Sequence, residues 1–125
     1  MVKTLISAIA VAVLLVCGAL YEANFTSRQF EEMSVITEAL YEKTENETAV
    51  EEDVYAVQKS WVNKKKYLHV FIPHNEIKEI DLWLAEAVKL VKAKKWEDAL
   101  SKIEVLKELL EQIPKTFALS IENVF

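Results

Sequence analysis

Apolar residues run from Leu5 to Leu20 with Ser7 as the one interruption, and then give way to a spacing of three and four. The first run is about 16 residues, or about 18 with Thr4 and Tyr21. A helix that crosses the hydrocarbon core needs roughly 20, within a range of about 17–25, and a signal-peptide core about 7–15. Beyond the run, Phe30, Met33, Ile36 or Thr37, and Leu40 fall on one helical face, so the same helix is predicted to continue. The polar, acidic stretch Glu42 to Thr48 breaks it. Thr48 with Glu51 reads as a capping box that opens a second helix from about Ala49 to Ile72. Its apolar face carries Val50, Val54, Val57, Trp61, Leu68 and Phe71 or Ile72. Pro73 stops it, and His74 or Asn75 is placed to cap the next helix. That third stripe is Ile77, Ile80, Leu84, Ala87, Val88 and Val91, followed by a turn at Lys92–Lys95. The last helix carries Trp96, Ala99, Leu100, Ile103, Leu106, Leu110 and Ile113 and is expected to stop before Pro114. Phe117, Leu119 and Ile121 alternate, which predicts an extended tail lying along the bundle and anchored by them and by Phe125.

At ~1.5 Å per residue the second helix is about 35 Å long and the next two about 27–30 Å. Near-equal lengths and short links predict antiparallel helices packed side by side. The expected fold is all-α: an N-terminal transmembrane helix continuing into a small up-and-down bundle of three to four helices, with an extended C-terminal tail. The organisation is residues 1–22 as anchor or signal segment, 23–114 as bundle, and 115–125 as tail.

The apolar run admits three readings: an uncleaved anchor, a signal cleaved near Cys17-Gly18-Ala19, or a lipoprotein acylated at Cys17, where Val16 stands in place of the expected small residue. The anchor reading leads, because the helical pattern resumes at once after Tyr21. Membrane lipid is then the partner of residues 4–21. Lys3 and the terminal amine on one side, with Glu22 on the other, place the N-terminus in the cytoplasm and the remainder outside as a single-pass protein of the cell membrane.

Composition narrows the function classes. The chain has 125 residues, a net charge of −5 and a single arginine, Arg28, so bidentate contacts to nucleic-acid phosphate or guanine are almost unavailable. Gly18 is the only glycine, which speaks against hairpins and phosphate-cradling loops. Cys17 is the only cysteine, so no intrachain disulfide can form.

Candidate chemistry is sparse. His69 and His74 are five apart across a proline, a poor spacing for a metal pair. Lys64, Lys65 and Lys66 span most of a helical turn and so do not form one compact patch. Trp61 and Trp96 fall on apolar stripes; Trp83 lies at a stripe edge and is expected as an exposed contact. Asp81 adjoins an apolar stripe, where it can act as an acid or base or pair with a lysine. No nucleophile constellation is recognisable, and neither a catalytic residue, a cofactor nor a metal is expected. Trp83, His74, Asn75 and Tyr67 are the candidate interaction surface.

The anchor, the stretch "SW" followed by "YLHVFIPHNEIKEID", and the C-terminal "LKELLEQIPKTFALSIENVF" together resemble bacterial domain-of-unknown-function family 4363, short N-terminally anchored proteins of clostridial-type Gram-positive bacteria. The resemblance covers nearly the whole chain. It implies the same architecture and brings no activity or cofactor. The expected function is a non-catalytic, membrane-anchored module outside the cytoplasm that acts through contact with an unknown protein partner at the cell envelope. The alternative is a small-ligand-binding or sensory domain with an aromatic-lined pocket, which a pocket lined by the tryptophans would favour. If the first helix rises from the membrane, the Pro73 turn lies near the bilayer, and the Glu42–Thr48 and Lys92–Lys95 turns sit together at the far end.

Overall fold

The structure is a computed structural model in which residues 1–124 are described, with side chains described as far as Leu119. Among these residues the chain forms four helices and no strand: α1 (Val2–Glu45), α2 (Glu51–Leu68), α3 (His74–Lys92) and α4 (Trp96–Val124). Each packs on its neighbours in a ring, α1 on α2, α2 on α3, α3 on α4 and α4 on α1. Cross-helix pairs set the directions. Lys43 reaches Asp53 and Lys64 reaches Glu32, so α2 descends beside the rising α1. Lys65 meets Asp81 on α3, Lys102 meets Glu86, and Lys107 on α4 meets Glu38. The result is the antiparallel up-and-down bundle that the periodicity requires.

The seams explain why the helices fit. On α1 the buried positions are Thr26, Phe30, Met33, Thr37, Leu40 and Thr44, a strict alternation of four and three. On α3 Ile77, Ile80, Leu84, Ala87 and Val91 alternate in the same way. On α4 Ala99, Ile103, Leu106, Leu110 and Ile113 do so again. A repeat averaging 3.5 residues keeps one stripe facing its partners only if the helices coil gently round each other with a left hand. Thr26, Thr37 and Thr44 are polar members of this seam. The Thr44 hydroxyl donates to the Leu40 carbonyl at 2.7 Å, whereas those of Thr26 and Thr37 meet no hydrogen-bond partner.

Both turns at one end of the bundle use the same device without glycine. After α1, the Thr48 N–H bonds the Lys43 carbonyl at 2.8 Å and the Glu47 N–H bonds that of Thr44. After α3, the Lys95 N–H bonds the Leu90 carbonyl at 2.9 Å and the Lys94 N–H bonds that of Val91. These are paired Schellman closures. They force Glu47 and Lys94 into the left-handed region, with φ of 58° and 56°.

Local details differ from the sequence reading at four points. Thr48 is not the cap of α2: its hydroxyl bonds the Lys43 carbonyl, and Val50 is the N-cap, its N–H held by the Asp53 carboxylate at 2.9 Å. The chain needs Thr48 to close the preceding turn, so the cap moves two residues on and exposes Val50. Second, α2 ends at Leu68, and residues 69–72 form a turn that tucks Ile72 into the core. Third, Pro73 is the N-cap of α3, so His74 and Asn75 lie in its first turn and neither caps it.

The fourth difference is the largest. The predicted extended tail from 115 is helix, and α4 runs through Pro114 to Val124. A proline in a helix interior costs about 3 kcal/mol. Ile113 is buried and Phe117 half-buried on the same seam, and burying such side chains contributes about 1.5–3 kcal/mol each. No strand is at hand to pair an extended backbone, so helix is also the state that satisfies its polar groups. Leu119 and the backbone of Ile121 belong to this helix. The predicted anchoring by the Ile121 side chain and by Phe125 lies outside the described residues.

The apolar start of α1 takes no part in the bundle. α1 is long and apolar enough there to cross a membrane, and none of that window is buried. From Val2 to Leu20 it spans about 28 Å, against roughly 30 Å for a hydrocarbon core.

Candidate functional site

Three adjacent lysines at the end of α2 go three ways, as their helical spacing demands. Lys64 turns to α1, where its ammonium donates to Gln29 Oε1 at 3.0 Å and pairs with Glu32. That contact holds the Glu32 carboxyl below its ordinary range. Lys65 turns to α3 and pairs with Asp81, 3.2 Å from Oδ2. Lys66 points to the base of the bundle and lines two grooves there.

Asp81 has a structural job. Trp61 is buried in the core, and its indole N–H donates to Asp81 Oδ1 at 2.7 Å. The carboxylate thus serves the Trp61 donor and the Lys65 ammonium together. Sequence alone could place Asp81 beside a stripe, but its partners come from another helix.

The base is where chemistry of one kind accumulates. Phe25 from α1, Phe71 from the α2–α3 turn and Phe117 from α4 form a chain of ring contacts, each pair 6.4 Å between centroids. Tyr21 stacks below Phe25 at the same separation. Around these rings lie exposed Tyr21, Tyr67, Val70 and Leu119 at 71%, 64%, 69% and 59% of full exposure, unlike the covered core a few residues away. A groove of about 360 Å³ is lined by Tyr21, Phe25, Tyr67, Val70 and Phe71, with Lys66 at its rim. Beside it a second groove of about 270 Å³ brings His69 and His74 together with Lys65, Lys66, Ile77 and Asp81. The two histidines, separated by the proline in sequence, share a groove because the chain reverses there. His69 Nδ1 lies 3.1 Å from the Lys65 carbonyl oxygen.

Of the predicted surface residues, Tyr67, His74 and Asn75 are exposed at or next to this base. Trp83 belongs elsewhere. It is half-buried, its indole N–H donates to Glu79 Oε2 at 3.1 Å, and the Lys102 ammonium covers its ring at 4.9 Å. The expectation of an open Trp83 contact is therefore corrected: a lysine from α4 occupies its face. Val70 and the continuation of the aromatic chain through a helical Phe117 were not read from the sequence. Phe117 lies four residues beyond Ile113, and this seam spacing was the available signal.

The tryptophans have separate surroundings: Trp61 in the core, Trp83 under Lys102, and Trp96 half-buried at the start of α4. None of the four surface grooves described is lined by a tryptophan. At the other end, Asp53 is held below the ordinary carboxylate range by the Lys43 ammonium, 2.8 Å away, and by the Val50 N–H. On the flank, Glu38 raises the Lys107 ammonium above its usual value.

Against known proteins, the family model described as a domain of unknown function, DUF4363, matches residues 21–124. No curated protein and no solved structure matches the chain. The match begins at Tyr21, where the bare apolar helix ends and the bundle starts.

Proposed function

The chain belongs to the DUF4363 family, a domain of unknown function, and we propose that it is a membrane-anchored, non-catalytic module that works by protein–protein contact at the cell envelope of a clostridial-type Gram-positive bacterium. The observation that carries this reading is the juxtaposition of a bare apolar helix with a packed bundle. Residues Val2–Leu20 project without protein cover, and such a surface escapes water only in lipid or against another chain. The bundle behind it encloses its apolar seams and holds Asp81 in a structural pair. Residues 4–21 span the bilayer as an uncleaved single pass. Lys3 and the terminal amine keep the N-terminus in the cytoplasm, so the bundle stands outside. No nucleic acid is involved, and the partner is a protein.

The test is crosslinking in native membranes followed by recovery through a C-terminal tag, with the mature N-terminus sequenced on the same material. A reproducible crosslinked protein and an intact N-terminus are expected. A chain beginning near Leu20 would refute the anchor; consistent lack of a crosslinked protein would refute the contact role.

A further inference from the structure

We infer that the base of the bundle is itself a lipid-contact surface, a collar of Tyr21, Phe25, Tyr67, Val70, Phe71 and Leu119 seated in the interfacial layer of the bilayer, so that the bundle is held down by more than its anchor. The inference rests on the anchored reading above and adds a second, independent contact.

Position comes first. If the apolar helix fills the hydrocarbon up to Leu20, Tyr21 lies at its edge and Phe25 about 6 Å above it. The polar interfacial layer is roughly 5–7 Å deep on each side. Ring contacts keep Phe71 within 6.4 Å of Phe25, and Phe117 within 6.4 Å of Phe71. Tyr21 and Phe25 therefore fall inside the layer that aromatic side chains favour, and the ring contacts bring Phe71 beside them.

Composition comes second. Among the described residues this end exposes Tyr21, Tyr67, Val70 and Leu119 beside polar Lys66, His69, His74 and Asn75, a mixture that suits an interfacial layer, whereas the opposite end exposes mostly charge, with Glu45, Glu47, Lys94, Lys95, Glu97 and Asp98. The collar adjoins the bare surface of the anchor, since Leu20 and Tyr21 are both exposed on the same helix. Lys66 edges the apolar groove, so its stem can lie along the rings while the ammonium reaches lipid phosphate. A second copy of this chain is the competing occupant. It would have to cover a surface that already surrounds the point where α1 enters lipid, and nothing about the collar requires it.

The experiment uses the full chain with Cys17→Ala, reconstituted in vesicles of phosphatidylcholine and phosphatidylglycerol. Single cysteines at Leu14, Val70 and Val50 carry an environment-sensitive fluorophore. Val70 and Val50 are exposed, so labelling leaves the core intact. The expected result is blue-shifted emission at Leu14 and Val70 with quenching of both by spin-labelled lipid, that at Val70 strongest with the label near the headgroup, and water-like emission at Val50. Blue-shifted Leu14 with water-like Val70 overturns the collar and leaves the anchor standing. A blue-shifted Val70 that lipid quenchers do not reach means protein covers it, which also overturns the collar. Water-like emission at Leu14 overturns the anchored reading itself.

Discussion

The indole N–H of Trp61 donates to Asp81 Oδ1 at 2.7 Å, joining two residues that are 20 apart in sequence and sit on different helices. A buried donor without a partner costs about 1–3 kcal/mol, so this bond fixes how α2 and α3 pack. Asp81→Ala is expected to destabilise the full chain in micelles by about 1–3 kcal/mol. Asp81→Asn keeps an acceptor and is expected to lose clearly less. Denaturant unfolding followed by circular dichroism measures both; equal losses would mean that only the charge pair with Lys65 matters.

The hydroxyl of Thr37 is buried and meets no partner. Valine has nearly the same shape and lacks the polar atom. Thr37→Val is therefore expected to stabilise the bundle by roughly 1 kcal/mol. A lower unfolding midpoint in the variant would show that the hydroxyl bonds the preceding turn, as Thr44 does.

Glu47 and Lys94 occupy the left-handed position of their Schellman turns. That conformation costs a non-glycine residue about 1–2 kcal/mol, against a loss of about 0.4–1 kcal/mol when glycine loosens the unfolded chain. Glu47→Gly and Lys94→Gly are each expected to stabilise by roughly 0.5–1 kcal/mol. Unchanged or lowered thermal midpoints would contradict the turn geometry.

Asp53 is held below its ordinary pKa by Lys43 and by the Val50 N–H. A carboxyl depressed on folding contributes stability that is complete above its unfolded value of about 4. That contribution is lost as pH falls through the folded value. The expected outcome is an acid-side decline beginning near pH 4 that is shallower in Asp53→Asn, with the variant less stable than the parent at pH 7. The effect is small, because the pair is exposed to solvent. Parallel pH curves for the two chains would remove Asp53 from the account.

The aromatic cluster at the base takes its rings from three separate stretches of chain, so it is only partly legible in sequence. Tyr67, Phe71 and the Pro73 turn could be placed at one end by counting helices. Val70 has no seam position to mark it, and Pro114 reads locally as a helix stop, which puts Phe117 in an extended tail. Trp83 is half-buried for another reason: Lys102 lies over its ring, and an adjacent helix leaves no trace in the local pattern.

What the sequence determined by itself was the order of the helices and most of their buried faces. Apolar spacing is a property of each helix alone, and its stripe must be buried whatever the partner. It also determined the apolar run, since sixteen or so residues without charge suit a membrane span or a signal core by length and composition. Tertiary structure alone decided that α4 continues past Pro114, which carboxylate serves Trp61, where each of three lysines points, and that the apolar run is left bare. Those outcomes depend on what a neighbouring helix offers. A proline stays inside α4 because the seam continues past it, and an aspartate is structural because a buried indole lies opposite.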